Sequence, residues 1–348
     1  MKGFTETQGR ALLLIVSVVI SLAVAEGAAR LRGFEPWTYL PTDQHEPTIF
    51  EYDPVLGWKA VTGDYIDPPY DPTASATHIS IIRGSGRRTS EGQSDVHTSR
   101  PKMFFVGCSF TMGWAINDED TFPWKLQAQF PSYEVLNYGV AGYGTYQSLL
   151  VLERELPQLP DVKVVVYGFI DNHEDRNVAT ANWMEWLSSY SHRHQLDFPF
   201  VTVDRDGKLR RHRPVSYPRL PFRENLAIVA LMEKALGKFE ARGRDTQGRA
   251  ATQQLILEMK KVSERNGAEF VLTLLDDSKE AEASYKEFAR KNNVRVADCD
   301  IPEDIGDLAV PGEGHPNGKA NTLWAQCIAD YLVQSKLVNI PRASAVDR

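Results

Sequence analysis

The chain has 348 residues, enough for one large domain or two small ones with a sizeable buried core. Composition is that of an ordinary globular protein, and a net charge of −7 without a long basic stripe argues against nucleic acid as a partner. Three cysteines (Cys108, Cys299 and Cys327) are odd in number for a disulfide scaffold. A single Cys299–Cys327 bridge stays open. No CxxC or His/Cys cluster has metal-ligand spacing, so no structural zinc is expected; no cofactor is expected either.

Residues 11–25, ALLLIVSVVISLAVA, are apolar apart from two serines, with Lys2 and Arg10 before them and Glu26 and Arg30 after. A spanning helix needs roughly 20 apolar residues, so this one is short unless Gly27 to Ala29 join it. AVA before Glu26 also fits a signal-peptidase site. Three readings follow: an uncleaved N-terminal anchor over residues 1–32, a cleaved signal peptide, or a buried core helix. The first two export the rest of the chain, with the basic N-terminus left inside. The first gives a single-pass protein of the inner or plasma membrane, its main domain on the periplasmic or extracellular side. The second gives a secreted protein.

Residues 33–100 are rich in Pro, Tyr, Asp and Gly and read as an extended lead-in with a few short strands and no helix. It is expected to wrap the domain or space it from the membrane. The basic runs RGSGRR (83–88) and KLRRHR (208–213) read as solvated loops.

After residue 100 the pattern becomes an α/β alternation. Apolar runs predict strands at 102–107, 134–140, 162–169, 269–275 and 294–299. Helical periodicity predicts helices at 120–130, 145–156, 252–267, about 279–291 and about 317–335. Asp120 or Thr121 caps the first of these, and Cys327 falls on the core stripe of the last. Residues 177–250 interrupt the rhythm with NWMEWLSSY, a Pro- and Arg-rich stretch and a helix near 224–238. They read as an insertion capping one end of the sheet. The fold class is therefore α/β: a three-layer α/β/α sandwich over residues 101–340, with a five-stranded, mainly parallel sheet.

Ligands of such sheets bind beyond the carboxyl ends of the strands. The first strand ends in Gly107-Cys108-Ser109, the second in NYGVAGYGTYQ (137–147), the third in GFIDNHEDRN (168–177). PGEGHPNGKAN (311–321) puts His315 just before the last helix. Ser109 is a candidate nucleophile, which needs a base; His315 is the natural one, and Glu313 is the nearest carboxylate to orient it. The Ser109 N–H, the Gly142 N–H and the Asn172 amide are candidate oxyanion donors. Taken singly, each is most simply a loop, turn or capping residue. Together they occupy successive strand ends in one order. Cys108 competes as nucleophile, but its side chain is expected to point to the opposite side of the strand end. Asp171, His173 and Arg176 are candidate substrate contacts; a salt-bridge and helix-capping role is the alternative.

In this order, GCSFTMG, NYGVAGYG, DNHEDRN and GHPNGKAN resemble the sequence blocks of SGNH (GDSL-type) hydrolases over about residues 102–335. The resemblance implies a three-layer α/β/α fold and an esterase, lipase, deacetylase or acyltransferase that works without metal. It further implies Ser109 as nucleophile, Gly142 and Asn172 as oxyanion donors, and His315 as base. There are three departures. Cys108 stands where the family usually has Asp. Block three reads Asp171-Asn172-His173 instead of Asn-Asp. The usual acid position, three before the histidine, is Gly312, while Glu313 lies two before, closer to the Asp-x-His spacing of SGNH-like proteins that acetylate exopolysaccharides. Asp307 and Asp171 are reserve acids. The expected function is cleavage of O-acyl esters on an envelope glycan or a lipid. The alternatives are O-acyl transfer to an envelope polysaccharide, or non-catalytic glycan binding. The aromatics at 182–190 and His192-Arg193-His194 are candidates to line a sugar or acyl site; a small hydrophobic cluster of the cap is the alternative. A nucleotide-binding domain lacks its phosphate loop, since no GxGxxG or GxxxxGK[ST] follows the first strand.

Overall fold

A computed structural model describes residues 6–40, 49–69, 75–83, 86–94, 97–191, 195–301 and 307–339. In chain order its helices are α1 (Glu6–Leu31), α2 (Ser109–Met112), α3 (Phe122–Gln129), α4 (Thr145–Glu155), α5 (His173–Asn177), α6 (Ala181–Ser189), α7 (Ala227–Glu240), α8 (Gly248–Arg265), α9 (Lys279–Lys291) and α10 (Gly318–Gln334). The chain forms two compact units. The expected 177–250 insertion is divided between them. Residues 181–195 and 216–242 join α1 in one unit, while 196–215 and 243–250 belong with the sheet. His192, Arg193 and His194 lie outside the described residues.

In the first unit, α1 is long and apolar enough to cross a membrane, and its side chains are exposed over nearly the whole length. Only its last turns are covered. There Glu26 accepts hydrogen bonds from Ala227 N and Ile228 N (3.0 and 2.9 Å), and Arg30 donates to the Asn225 carbonyl (3.0 Å).

The second unit is built on one sheet of β1 (Gly63–Asp67), β2 (Thr77–Ile82), β3 (Gly86–Arg87), β4 (Lys102–Gly107), β5 (Glu134–Gly139), β6 (Val162–Ile170), β7 (Glu269–Asp276) and β8 (Arg295–Asp298). The spatial order is β8-β7-β6-β4-β5-β3-β2-β1. Strands β4 to β8 are the five parallel strands expected from the apolar runs. The lead-in holds short strands and no helix among its described residues, as expected. Its strands β1 to β3 are antiparallel additions that lengthen the sheet instead of spacing it from something else. They are short and carry Gly, Asp and Thr, so period-two patterning does not announce them.

Both faces of the parallel strands are covered. Met103 and Phe105 meet Phe122 and Leu126 of α3 and Trp324 and Ile328 of α10 in one core cluster. Phe104 and Val106, on the other face, are equally buried. Thr121 caps α3, accepting from Trp124 N, as its sequence suggests. Cys327 packs against this core cluster, as its place on the stripe suggests. It is half-buried and forms a disulfide with Cys299, closing a 28-residue separation between β8 and α10.

The chain leaves β4 toward β5 on one side and then crosses back to β6 on the other, so β4 borders the topological switch point. Three glycines stand in one register row there: Gly107 pairs with Gly139 of β5 and with Gly168 of β6. Helix α2 sits directly on this row. A Cβ on Gly168 would lie 2.3 Å from Thr111 Oγ1, and one on Gly139 would lie 2.4 Å from Met112 N. The latter atom is backbone and cannot swing aside. Gly139→Ala is therefore expected to cost about 1–3 kcal/mol in urea unfolding through overpacking. A variant as stable as the parent would mean that α2 shifts without penalty.

Candidate active site

Ser109 is the first residue of α2, immediately beyond β4, and is buried with its hydroxyl aimed at the last loop of the chain. Its Oγ lies 2.9 Å from His315 Nε2. On the other side of the ring, His315 Nδ1 lies 2.7 and 2.9 Å from the two carboxylate oxygens of Glu313. The hydroxyl, imidazole and carboxylate form one continuous hydrogen-bonded line. With Nδ1 protonated toward Glu313, Nε2 carries the lone pair that accepts from Ser109.

The loop is folded to make this line. Ala309 bridges to Pro316, Val310 N donates to the His315 carbonyl (2.7 Å), and Gly314 N donates to the Val310 carbonyl (2.9 Å). Gly312 and Gly314 have φ of 78° and 95°, so glycine is required on both sides of Glu313. The resulting turn brings the Glu313 carboxylate under both the His315 backbone N–H (2.8 Å) and its ring. Asn317 then caps α10, accepting from Lys319 N and Ala320 N. The Phe110 ring packs edge-on to the His315 ring at 5.7 Å.

Burial pushes the Glu313 carboxyl up. Bonds and charge from His315 and a hydrogen bond from the Trp114 side chain outweigh it, and the net value lies below the usual glutamate range. Glu313 is thus an ionised acceptor. The reserve acids do not reach the imidazole. Asp307 is paired with Lys319 at 3.1 Å, and Asp171 accepts from Ser278 N at 3.2 Å.

Gly142 follows β5 and Asn172 follows β6, the two sheet neighbours of β4. Among the described residues, no hydrogen bond takes up the Gly142 N–H or the exposed Asn172 side-chain amide. The Gly142 loop is braced from the lead-in. Trp58 Nε1 donates to the Ala141 carbonyl at 2.8 Å, and the Tyr143 hydroxyl donates to the Trp58 carbonyl. Arg176 Nη1 donates to the Tyr143 carbonyl at 2.9 Å.

Several sequence expectations need correction. His173 is fully buried, its Nδ1 2.7 Å from the Tyr167 hydroxyl, and burial drives its pKa well below the ordinary histidine value. It is a neutral interior ring and cannot contact substrate. It belongs to a network in which Tyr167 bonds Thr145, and Asn177 bonds Thr145 and Thr252. Arg176 acts on the Gly142 loop through its bond to the Tyr143 carbonyl. Cys108 is fully buried in the core cluster and is a free thiol. The run 83–88 is not a solvated loop throughout. The Arg87 guanidinium is buried, 2.8 Å from Asp118, and donates to the carbonyls of Met112, the last residue of α2, and of Gly113 and Ile116 just beyond it. Arg211 of the second basic run ion-pairs with Glu153 at 2.6 Å.

Trp58, Arg87 and Trp114 were not singled out from sequence, because each acts through contacts distant along the chain. Asp277, just past β7, is another such residue. Burial, then the neighbouring Asp171, Asp300 and Asp276, push its carboxyl up to about 9. Among the described residues neither of its oxygens has a hydrogen-bond partner. The folded chain therefore holds a proton there that the unfolded chain releases near pH 4. Folded-state binding exceeds unfolded-state binding from about pH 4 to about pH 9, so this group costs stability progressively as pH rises through that window. Asp277→Asn is expected to raise Tm at pH 8, by about 2–4 °C per kcal/mol recovered, and to leave it nearly unchanged at pH 4. Equal shifts at both pH values would refute a protonated Asp277.

Comparison with models of protein families and with curated proteins finds no match. Among solved structures, the chain is similar to a lipolytic protein of the G-D-S-L family from Desulfitobacterium hafniense, at 14% identity over 67% of this chain and 100% of that one, with a TM-score of 0.40. It is similar to the psychrotrophic esterase EstA from Pseudoalteromonas sp., at 14% identity over 68% and 98% of the two chains, with a TM-score of 0.39. A third is AlinE4, a SGNH-hydrolase family esterase, at 13% identity over 69% and 98%, with a TM-score of 0.35. The functional conclusion rests instead on the geometry around Ser109.

Proposed function

We propose that the protein is an exported serine esterase of SGNH type, held in the membrane by α1, which cleaves O-acyl esters of a glycan or lipid. The observation that carries this reading is the line from Ser109 Oγ through His315 to Glu313. A hydroxyl 2.9 Å from an imidazole that is oriented by a carboxylate is an activated nucleophile. Ser109 attacks the ester carbonyl while His315 Nε2 takes its proton. The oxyanion is met by the N–H groups of Ser109 and Gly142 and by the Asn172 amide. His315 then gives its proton to the departing alcohol oxygen. A water, deprotonated by the same nitrogen, attacks the acyl-serine, and the acid leaves as Ser109 regains its proton.

Export is supported by two independent features. Helix α1 is apolar enough to span, and the Cys299–Cys327 disulfide suits an oxidising compartment.

The test is labelling of the full chain with a fluorophosphonate probe. Wild type is expected to label, Ser109→Ala and His315→Ala not at all, and Glu313→Gln about 100-fold more slowly or worse. A folded wild-type chain that stays unlabelled would sink the esterase reading. Once an ester substrate is found, Trp58→Phe is expected to lower kcat about 10-fold with KM little changed, because the Gly142 N–H loses its brace while substrate binding does not. A change confined to KM would place Trp58 against the substrate instead.

A further inference from the structure

Helix α7 is built inside out for a soluble protein. The side it turns to its own unit carries Ala227, Glu233 and Gly237, with Ala241 just beyond. These are small residues and one carboxylate, and Glu233 is paired with Arg223 at 2.9 Å. Gly237 lies against the Tyr217 ring. The opposite side carries Met232, Leu236 and Phe239, which are 57, 37 and 62% exposed. At 100° per residue these three, with Ile228, Val229 and Ala235, make one face without a charge. Phe222, just before the helix, is 69% exposed. Water is the wrong neighbour for such a face.

The position of α1 says what the neighbour is. The apolar residues 11–24 of α1 are uncovered, and burial begins only at Ala25, Glu26 and Ala29. The apolar run, uninterrupted by charge, ends at Ala25, so Glu26, the first charged residue after it, marks the boundary of the hydrocarbon. Its carboxylate is satisfied there by Arg30 and by the first N–H groups of α7. Helix α7 therefore starts where α1 leaves the bilayer. Lys238 and Arg242 flank its apolar face, and the Arg242 guanidinium lies 4.2 Å over the Phe239 ring. Helix α6 packs beside it through Glu185 and Lys234 (2.9 Å). It carries Trp183 and Trp186, which with Tyr190 just beyond it form an aromatic ladder with ring centroids 5.3 and 4.9 Å apart, and the last two members are exposed.

We propose that this unit is a membrane-surface platform. The apolar face of α7 lies in the headgroup and acyl boundary of the bilayer that α1 crosses, with the aromatics of α6 at headgroup level. This rests on α1 being a membrane anchor. It gives the aromatics at 182–190 a lipid role in place of a sugar site.

The test uses the full chain in vesicles of phosphatidylethanolamine and phosphatidylglycerol, with an environment-sensitive fluorophore on Met232→Cys or Phe239→Cys. Cys108 is buried and Cys299 and Cys327 are bonded, so label goes to the introduced thiol. Glu264→Cys on α8 is the aqueous reference, and Leu14→Cys reports the anchor separately. The expected result is blue-shifted emission at 232 and 239, lost to shallow spin-labelled lipid and insensitive to iodide, with the reverse at 264. Aqueous emission at 232 and 239 beside lipid quenching at 14 would overturn the platform and leave the anchor standing. Shielding from both lipid and iodide would also overturn it, by showing that a second copy or another protein covers the face. Loss of lipid quenching at 14 as well would remove the anchor and the platform together.

Discussion

The site depends on how closely a short helix can approach three strand ends. Helix α2 has only four residues and makes almost no stability of its own. It is held because Gly107, Gly139 and Gly168 remove the side chains that would keep it off the sheet. Thr111 fills the space they leave, at the cost of a buried hydroxyl without a partner among the described residues. An unpaired buried hydroxyl typically costs about 1–3 kcal/mol. Glycine inside strands weakens them as well. What the fold gains is position. Ser109 is set at the start of α2 with its N–H outside the helical ladder, so hydroxyl and backbone donor are presented together.

The lead-in completes this arrangement from the β5 edge of the parallel strands. Arg87, at the end of β3, gathers the carbonyls that follow α2 and pairs with Asp118. A buried ion pair of this kind adds little net stability against an apolar replacement, but loss of one partner costs about 3–5 kcal/mol. Its effect is to fix where the chain runs after Ser109. Trp58 acts likewise on the Gly142 loop. Residues 49–100 are therefore part of the site's architecture, though none of them touches Ser109 or His315 in the described contacts.

This division explains what the sequence could and could not convey. Strands β4 to β8 were readable as apolar runs, because both faces of the sheet are covered, and helices α3, α4, α8, α9 and α10 were readable because each buries a periodic apolar face. Ser109, Glu313 and His315, which the structure joins in one hydrogen-bonded line, were candidates from the sequence because such sheets place chemistry at strand ends and in the loops beyond them. Short strands were expected in the lead-in, but where β1 to β3 lie and that they extend the sheet was not readable, since strands of two to six residues leave too little pattern. Buried polar residues were the hardest to foresee. His173 looked like part of a polar surface tract and is an interior ring. Arg87 looked like one charge in a basic run and is a buried clamp. In both cases the decisive partner (Tyr167 for one, Asp118 for the other) matters by where it sits in space, and composition does not carry that.

The acid shows how a departure in spacing can be absorbed by geometry. An aspartate three residues before the histidine reaches the imidazole across one turn of backbone. Here the carboxylate is only two residues before, and it reaches the ring by a tight turn of the loop. Two compensations are visible. Glutamate adds one methylene of reach, and the positive φ at Gly312 and Gly314 folds the backbone back on itself. The carboxylate then accepts from both the backbone and the ring of His315. That double bond to one residue does more than orient the imidazole. It ties the carboxylate to the loop that carries the base, so Glu313 and His315 move as one body relative to Ser109. Alignment of the site is reduced to a single distance, that between the loop before α10 and the helix seated on the three glycines.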